Sequence, residues 1–389
     1  PADTEVESQL MRISAGGGQW QRLVDLLDEA GNDVYEPELR KRLILTVAQL
    51  YEVSLENQGA AIGALKKGLD AVPSDLEILA QLDRLLTEAQ RHEELAEVLR
   101  AQADVTDGAV KAQFLYRLGH LNLHRFGRGE EAIEVWQEAL NFQDSHPEVF
   151  RELEVLLGSG GPLVNAALEV LEPAYERMGA HDKLITVLEV RVTLTEDAGD
   201  RAGLLERAAQ LGKTLGQLDR ALGQLAQALA LTPDNLALLE SFIDLAQHTD
   251  HIPMVLSTVL GILDGKVDEL AAVALALRVA PLALSVGDVV SAERFYLAVL
   301  AREAENLDAI RALENLYRVG DDTAKLVAIL QKRAAQEYDP VTKKAICSEI
   351  AGLAETQLRD LVMAERSEGR RGGKECRSRW PPYHSNKKA

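Results

Sequence analysis

Residues 115–147 read LYRLGHLNLHRFGRGEEAIEVWQEALNFQDSHP, and this stretch decides the fold. In its second half, Ala132 is followed four residues later by Trp136, and then by a small residue, Ala139, and by Leu140. Apolar residues that recur at three and four positions form one stripe along an α-helix. Pro147 lies in the connection that follows. The stretch therefore predicts a helix with one buried face that ends in a short turn.

The same pattern recurs along the chain. It starts in turn at Ala61, Ala132, Ala221 and Ala292, so that two steps of about 71 residues enclose a longer one. A second anchor, a helix-opening leucine with apolar followers, recurs with the same series of steps at Leu23, Leu95, Leu184, Leu256 and Leu326. Because two independent anchors share one series of spacings, the chain is predicted to be an internal repeat, which decides its architecture.

Each unit of about 71 residues is predicted to contain four helices. In the first unit they cover residues 20–30, 38–54, 59–71 and 75–90, and Asp75, Ser145 and Asp234 are candidate N-caps along the chain. Four such helices leave only short turns, so neighbouring helices should form antiparallel hairpins. The longer step, which begins at Ala132, is explained by one extra helix within 162–178, and Pro281 is expected to kink or break a helix.

The hairpin at residues 115–147 resembles a tetratricopeptide repeat. Its matching positions, which correspond to the family's Leu-Gly, Ala, aromatic, Ala and Pro positions, are Leu115, Leu118, Gly119, Ala132, Trp136, Ala139 and Pro147. Half of the unit length is also close to the 34-residue period of that family. The resemblance covers residues 20–365 and implies an all-α fold, an αα-superhelix (TPR-like solenoid) of antiparallel helical hairpins. As a long acidic repeat protein, the chain is also similar to proteins that are common in bacteria of the myxobacterial kind.

The repeat pattern also predicts the domain organisation. Residues 1–19 are interpreted as a partial preceding helix and loop, and the units as 20–91, 92–180 with the extra helix, 181–251, 252–322 and a truncated 323–365. Residues 366–389 resemble the conceptual translation of a sequencing adapter, so we interpret them as an artefact and expect them to be disordered. The natural protein is then expected to continue past Glu365.

Composition and charge argue against several classes of function. The net charge of −20 repels phosphate backbones and acidic lipids, so nucleic acid is not expected as a partner. No apolar stretch approaches the roughly 20 residues of a membrane-spanning helix, so no membrane insertion is expected. We expect a soluble protein and favour the cytoplasm, with a signal peptide upstream of Pro1 as the open alternative. Cys347 and Cys376 are not spaced as a metal-binding pair.

The candidate binding residues lie on the first helix of the hairpin. In the tetratricopeptide family the first helix lines the concave groove, and the resemblance assigns Gln113, Tyr116, His120, Leu123 and His124 to that face. A stripe of Tyr and His could stack on a peptide and form hydrogen bonds to it. The alternatives are a plain exposed helix surface and a metal site. His120 and His124 have a spacing that can bind zinc, but Asp144 and His146 lie beyond the next helix and no third ligand is evident.

The function predicted from these observations is a non-catalytic scaffold or adaptor that binds a protein or peptide, with a basic partner favoured by the charge. No phosphate loop, nucleotide-binding glycine motif, nucleophile elbow or HExxH helix is present, so neither a cofactor nor an enzyme activity is expected. The alternative is a regulatory or targeting arm of a larger enzyme or membrane protein. An enzyme would require Tyr116, His120 and His124 to converge with a carboxylate in a closed pocket.

Overall fold

The computed structural model describes residues 4–358 and 360–370, and every regular element in these ranges is a helix. The helices are α1 (Thr4–Gly17), α2 (Trp20–Asn32), α3 (Pro37–Gln49), α4 (Gln58–Ala71), α5 (Leu76–Glu88), α6 (His92–Val105), α7 (Gly108–His124), α8 (Gly129–Phe142), α9 (Pro147–Ser159), α10 (Val164–Met178), α11 (His181–Leu194), α12 (Ala198–Thr214), α13 (Leu218–Leu231), α14 (Leu236–His248), α15 (Ile252–Asp264), α16 (Glu269–Ser285), α17 (Val289–Arg302), α18 (Leu307–Val319), α19 (Thr323–Gln336), α20 (Pro340–Leu353) and α21 (Leu361–Arg370). Two short π-helical segments, Leu50–Ser54 and Ala354–Leu358, continue α3 and α20.

The chain divides into two compact units between Val187 and Leu188, within α11. Consecutive helices pack against each other from α1 to α10 in the first unit and from α12 to α21 in the second. The short turns between them make neighbouring helices antiparallel. The chain is therefore an all-α helical repeat solenoid, and the fold class predicted from the sequence is confirmed. None of the described helices combines the length and the apolar character needed to cross a membrane.

Small residues allow the paired helices to approach each other closely, as the repeat pattern predicts. A Cβ atom added to Gly119 on α7 would lie 2.3 Å from Nε1 of Trp136 on α8, and one added to Gly68 on α4 would lie 2.5 Å from Cγ2 of Ile44 on α3. Real Cβ atoms do not come this close to other atoms. Trp136 fills the space between the helices and is completely buried. Glycine at these two positions is therefore required by packing.

Side-chain caps determine where several helices begin, and one of the three predicted caps is confirmed. The Asp75 carboxylate accepts hydrogen bonds from the backbone N–H groups of Glu77 and Ile78, at 3.0 and 3.1 Å. The other two predictions are wrong by one residue, because α9 is preceded by His146 and α14 by Asn235, whose side chain accepts from the Leu238 N–H group. A cap of this kind contributes about 1 kcal/mol to helix stability.

Pro281, which was expected to kink or break a helix, does not break it. Helix α16 continues through this proline to Ser285, although proline removes one helical hydrogen bond. Pro281 is exposed, while Ala280 and Ala283 beside it are completely buried. Packing on the buried face therefore holds the helix together on both sides of the proline.

The end of the described chain overlaps the segment that resembles a sequencing adapter. Helix α21 ends at Arg370, so it includes the beginning of that segment. Residues 371–389 lie outside the described residues, and the interpretation of this part as a disordered artefact stays a prediction.

Candidate functional site

Three of the five predicted binding residues form a continuous stripe of rings on α7. Tyr116, His120 and His124 follow one another at intervals of four residues, which places them on one face of the helix. The ring centroids of Tyr116 and His120 are 6.1 Å apart, and those of His120 and His124 are 4.3 Å apart. The other two predicted binding residues also lie on α7. Gln113 is exposed one turn before Tyr116, and Leu123, which directly precedes His124, is half-buried.

Helix α7 is fixed at its start and along its buried face. The Asp107 carboxylate accepts a hydrogen bond from the Gly108 N–H group at 2.8 Å, at the beginning of the helix. Leu115 and Leu118, which point away from the stripe, are buried, so that side of the helix is anchored in the core. The rings therefore project from a rigid element, which favours a defined binding geometry.

Helix α9 contributes a carboxylate that the sequence analysis missed. One carboxylate oxygen of Glu152 lies 3.1 Å from Nε2 of His124, and the other lies 3.9 Å from Nε2 of His120. Glu152 is separated from His124 in the sequence by the whole of α8, so only the structure shows that a side chain of α9 reaches α7. The two imidazole rings and this carboxylate thus converge from two helices.

His146, which precedes α9, packs against the other end of the stripe. Its ring centroid lies 5.3 Å from that of Tyr116, and its side chain is only 2 % exposed. Its Nδ1 atom lies 3.2 Å from a carboxylate oxygen of Glu148, without hydrogen-bond geometry. The ring of Tyr116 therefore contacts two imidazole rings, those of His146 and His120. Asp144, the other residue considered from the sequence, does not join the cluster of His120, His124 and Glu152 that the described residues form.

The environment of the stripe changes the protonation of its members. Burial lowers the pKa of His120, and the neighbouring His124 lowers it further, while Glu152 acts in the opposite direction. Burial also lowers the pKa of His146 and raises that of Tyr116, the latter with a smaller contribution from Glu152. Each shift favours the neutral form of the ring, because a charged ring loses hydration when it is partly buried.

A cleft of about 280 Å³ opens beside the stripe, between α5, α6 and α7. Its walls include Leu95, Leu99, Tyr116, Arg117, His120 and Leu121. Arg117 is held by two hydrogen bonds to the carboxylate of Asp83 on α5, each of 2.6 Å. The cleft thus combines apolar leucine surface with the edges of Tyr116 and His120, next to a guanidinium group fixed in position.

The cluster of His120, His124 and Glu152 is partly open to solvent. The side chains of His120 and His124 are 45 % and 44 % exposed, whereas that of Glu152 is 18 % exposed. A carboxylate therefore converges with the two predicted histidines, and the three groups face solvent. Exposed groups of this kind are suited to stacking, hydrogen bonding and ion binding.

Comparisons with solved structures identify tetratricopeptide-repeat proteins as similar to this chain. The C-terminal part of a TPR repeat-containing protein from Cytophaga hutchinsonii is 13 % identical, with a TM-score of 0.22, over 75 % of this chain and 98 % of that one. A tetratricopeptide repeat protein from Parabacteroides merdae is 15 % identical, with a TM-score of 0.23, over 68 % and 95 % of the two chains.

A third similar structure is that of YrrB, described as a TPR protein with an unusual peptide-binding site. It is 14 % identical, with a TM-score of 0.22, over 51 % of this chain and 90 % of that one. No protein-family model and no curated protein matches the chain. The similar structures are thus of the repeat family that the sequence pattern indicates.

Proposed function

We propose that this protein is a non-catalytic scaffold or adaptor that binds an extended segment of a partner protein on the face of α7. The resemblance assigns this face to the concave groove of the repeat. The observation that supports the proposal is the continuous stripe of Tyr116, His120 and His124, whose ring contacts of 6.1 and 4.3 Å run along one helix face. A stripe of this length offers successive contacts to an extended peptide.

The chemistry of the stripe and the cleft suits a peptide. A tyrosine presents a large rigid apolar surface together with a hydroxyl group, so it binds with little loss of side-chain entropy. The imidazole rings of His120 and His124 can stack on peptide groups and form hydrogen bonds to backbone amides. Beside them, Leu95 and Leu99 offer apolar surface to one side chain of the partner. Affinity then comes from the stripe, and side-chain specificity comes from the cleft.

Charge favours a partner segment that is basic. The net charge of the chain is −20, so a positively charged segment is attracted at long range. Near the stripe, Glu148 and Glu152 provide local negative charge. We expect the association rate to fall as the ionic strength rises. At 0.1 M salt, the attraction between exposed charges is largely screened beyond about 10 Å.

Site-specific photo-crosslinking tests this face directly. A photoreactive phenylalanine analogue is placed at Gln113 on α7, and the matched control carries it at Gln137 on α8; both positions are exposed glutamines. Crosslinked proteins are captured from a lysate of the source organism, and the crosslinked segment is identified by mass spectrometry. A synthetic peptide of that segment is then titrated against the full chain, with a chelator present.

The expected result is a segment that crosslinks at Gln113 and not at Gln137. Its synthetic peptide should bind more weakly as salt is added, and it should bind the Tyr116→Ala variant more weakly than the unchanged chain. Equal crosslinking at both positions, or a peptide whose affinity is unchanged by Tyr116→Ala, would show that α7 is not the binding face.

A further inference from the structure

The geometry points to a site for one divalent transition-metal cation of the zinc, nickel or copper class, bound by His120, His124 and Glu152. The three ligand atoms lie within 4.8 Å of one another, and the described residues contain no other group of three such side chains. This inference goes beyond the proposed scaffold function and stands without it, because the ligands belong to the chain itself.

The distances suit a single cation. Bonds of about 2.0–2.2 Å from a metal to imidazole nitrogen and carboxylate oxygen place neighbouring ligand atoms about 3.0–3.5 Å apart. Nε2 of His124 and the nearer Glu152 oxygen are separated by 3.1 Å, within that range. Nε2 of His120 lies 3.9 Å from the other Glu152 oxygen, so a small rotation of its ring completes the set.

The arrangement of the ligands is a combination of helix spacing and hairpin packing. His120 and His124 are one helical turn apart on α7, so their rings stand side by side, with centroids 4.3 Å apart. Glu152 approaches from α9 and directs one oxygen toward each ring. Both imidazoles present the same atom, Nε2, to this one carboxylate. An ion pair with Glu152 requires only one histidine, whereas a metal site requires several ligands that converge on one point.

The chemistry of the donors selects the class of cation. Two imidazole nitrogens and one carboxylate suit Zn²⁺, Ni²⁺ and Cu²⁺, whereas Mg²⁺ and Ca²⁺ prefer sites made of oxygen ligands. The negative charge of Glu152 offsets part of the cation's charge. Because both histidines are nearly half exposed, a cation can reach the site from solvent.

Three protein ligands leave at least one coordination position open. Zinc sites with three protein ligands complete their shell with water or with a bound molecule. At this site the open position faces the same solvent-exposed surface as the ring stripe. A water molecule fills it in the free protein, and a donor side chain of a bound segment could replace that water.

Metal titration of the full chain tests the site. The protein is treated with a chelator, desalted and kept reduced, and Zn²⁺ is then titrated in competition with a chromophoric chelator, in the presence and absence of excess Mg²⁺. The unchanged chain should bind one more equivalent of Zn²⁺ than the double variant His120→Ala/His124→Ala, with a dissociation constant in the micromolar range or below. Because the comparison is a difference, zinc bound by the thiols of Cys347 and Cys376 cancels.

Two further variants make the test specific. Glu152→Gln keeps the size of the side chain and removes its charge. It should weaken the affinity for Zn²⁺ at least about tenfold, because even the removal of a group that only supports a metal ligand typically costs that much. His248→Ala is the control. His248 on α14 is an exposed histidine that lies 3.6 Å from a carboxylate oxygen of Asp244, but among the described residues it does not belong to a group of three potential metal ligands. It should bind Zn²⁺ as the unchanged chain does.

Circular dichroism and thermal melting in chelator establish that each variant is folded. The proposal is overturned if the double variant binds as many equivalents as the unchanged chain, or if Mg²⁺ displaces the Zn²⁺, since an acidic surface alone would then explain binding. It is also overturned if Glu152→Gln leaves the affinity unchanged. Peptide binding is measured separately with a chelator present, so failure of the metal site and failure of the scaffold function can be told apart.

Discussion

Trp136 on α8 donates a hydrogen bond from Nε1 to the backbone oxygen of Tyr116 on α7, at 3.2 Å. The indole is completely buried, and it reaches this oxygen only because Gly119, one turn further along α7, has no side chain. The contact joins the core of the hairpin to the helix that carries the ring stripe. Packing between α7 and α8 therefore sets the position of Tyr116, and with it that of the candidate site.

Gly119→Ala should destabilise the chain by up to about 2 kcal/mol. The new Cβ atom would lie 2.3 Å from Trp136 Nε1, so the helices must move apart. Overpacking of this kind costs about 1–3 kcal/mol, and the higher helix propensity of alanine offsets up to about 1 kcal/mol. Urea denaturation followed by circular dichroism measures the change as a lower transition midpoint.

Gly63→Ala on α4 is the matched control for this substitution. A Cβ atom at Gly63 meets nothing within 4 Å, and the residue is exposed. This variant should be unchanged or more stable, by up to about 1 kcal/mol. If both variants had the same midpoint, close approach of α7 and α8 would not be what glycine provides at position 119.

The fold could be predicted from the sequence because its information is local and repeated. The pattern around Ala132 and Trp136 fixes a buried helix face, and its regular recurrence along the chain fixes the repeat. Cap positions were less predictable. Ser145 was expected to begin α9, but Pro147 occupies the first turn and makes His146 the residue that precedes it.

The candidate site could be predicted only in part, for a physical reason. Helical spacing alone places Tyr116, His120 and His124 on one face, and the ring contacts are found. The approach of Glu152 depends on how α9 packs against α7, which the period of one helix does not determine. No third ligand for His120 and His124 is evident in the sequence, whereas in the structure the Glu152 carboxylate lies beside both rings.

The contact between Asp83 and Arg117 should contribute a measurable coupling energy. Two hydrogen bonds of 2.6 Å join these side chains across α5 and α7, and Asp83 is largely buried whereas Arg117 is 34 % exposed. A double-mutant cycle with Asp83→Ala and Arg117→Ala should give a coupling energy of about 1 kcal/mol. Two charge-assisted hydrogen bonds are stronger than an ordinary surface ion pair, but solvent screens the exposed part of Arg117.

The exposed pair of Arg100 and Glu138 provides the comparison for this cycle. A single hydrogen bond of 2.7 Å joins them, and their side chains are 47 % and 33 % exposed. Its coupling should be below about 0.5 kcal/mol. Equal coupling in both pairs would show that the burial of Asp83 adds nothing to the link between α5 and α7.

Glu189 on α11 should make stability depend on acid pH. Hydrogen bonds from Arg220 lower the pKa of this carboxyl below its ordinary value of 4.5, burial acts in the opposite direction, and a hydrogen bond from Gln224 lowers the pKa further. A lowered pKa in the folded state stabilises the protein above the unfolded value, and this contribution is lost as the pH falls through the folded pKa. Denaturation midpoints of the unchanged chain and of Glu189→Gln should therefore differ at pH 7, and the difference should disappear as the pH falls from 4.5 through the lower pKa of the folded state.

Tyr116→Ala should weaken binding of the partner peptide about tenfold or more, if α7 carries the binding face. Aromatic residues at the centre of an interface often contribute more than about 1.4 kcal/mol, which corresponds to a factor of ten. Tyr116→Phe keeps the ring between His146 and His120, and it separates the contribution of the hydroxyl group from that of the ring.

The control for this prediction is Tyr35→Ala, a substitution of a tyrosine that is 97 % exposed between α2 and α3. Isothermal titration of the crosslinked peptide against the three variants gives the affinities, with chelator present. A tenfold loss for Tyr116→Ala, a small loss for Tyr116→Phe and none for Tyr35→Ala would show that the ring of Tyr116, and not its hydroxyl group, carries the contact. A similar loss for both alanine variants would instead indicate that exposed tyrosines attract the peptide without a defined site, because among the described residues no ring contacts Tyr35 as His120 and His146 contact Tyr116.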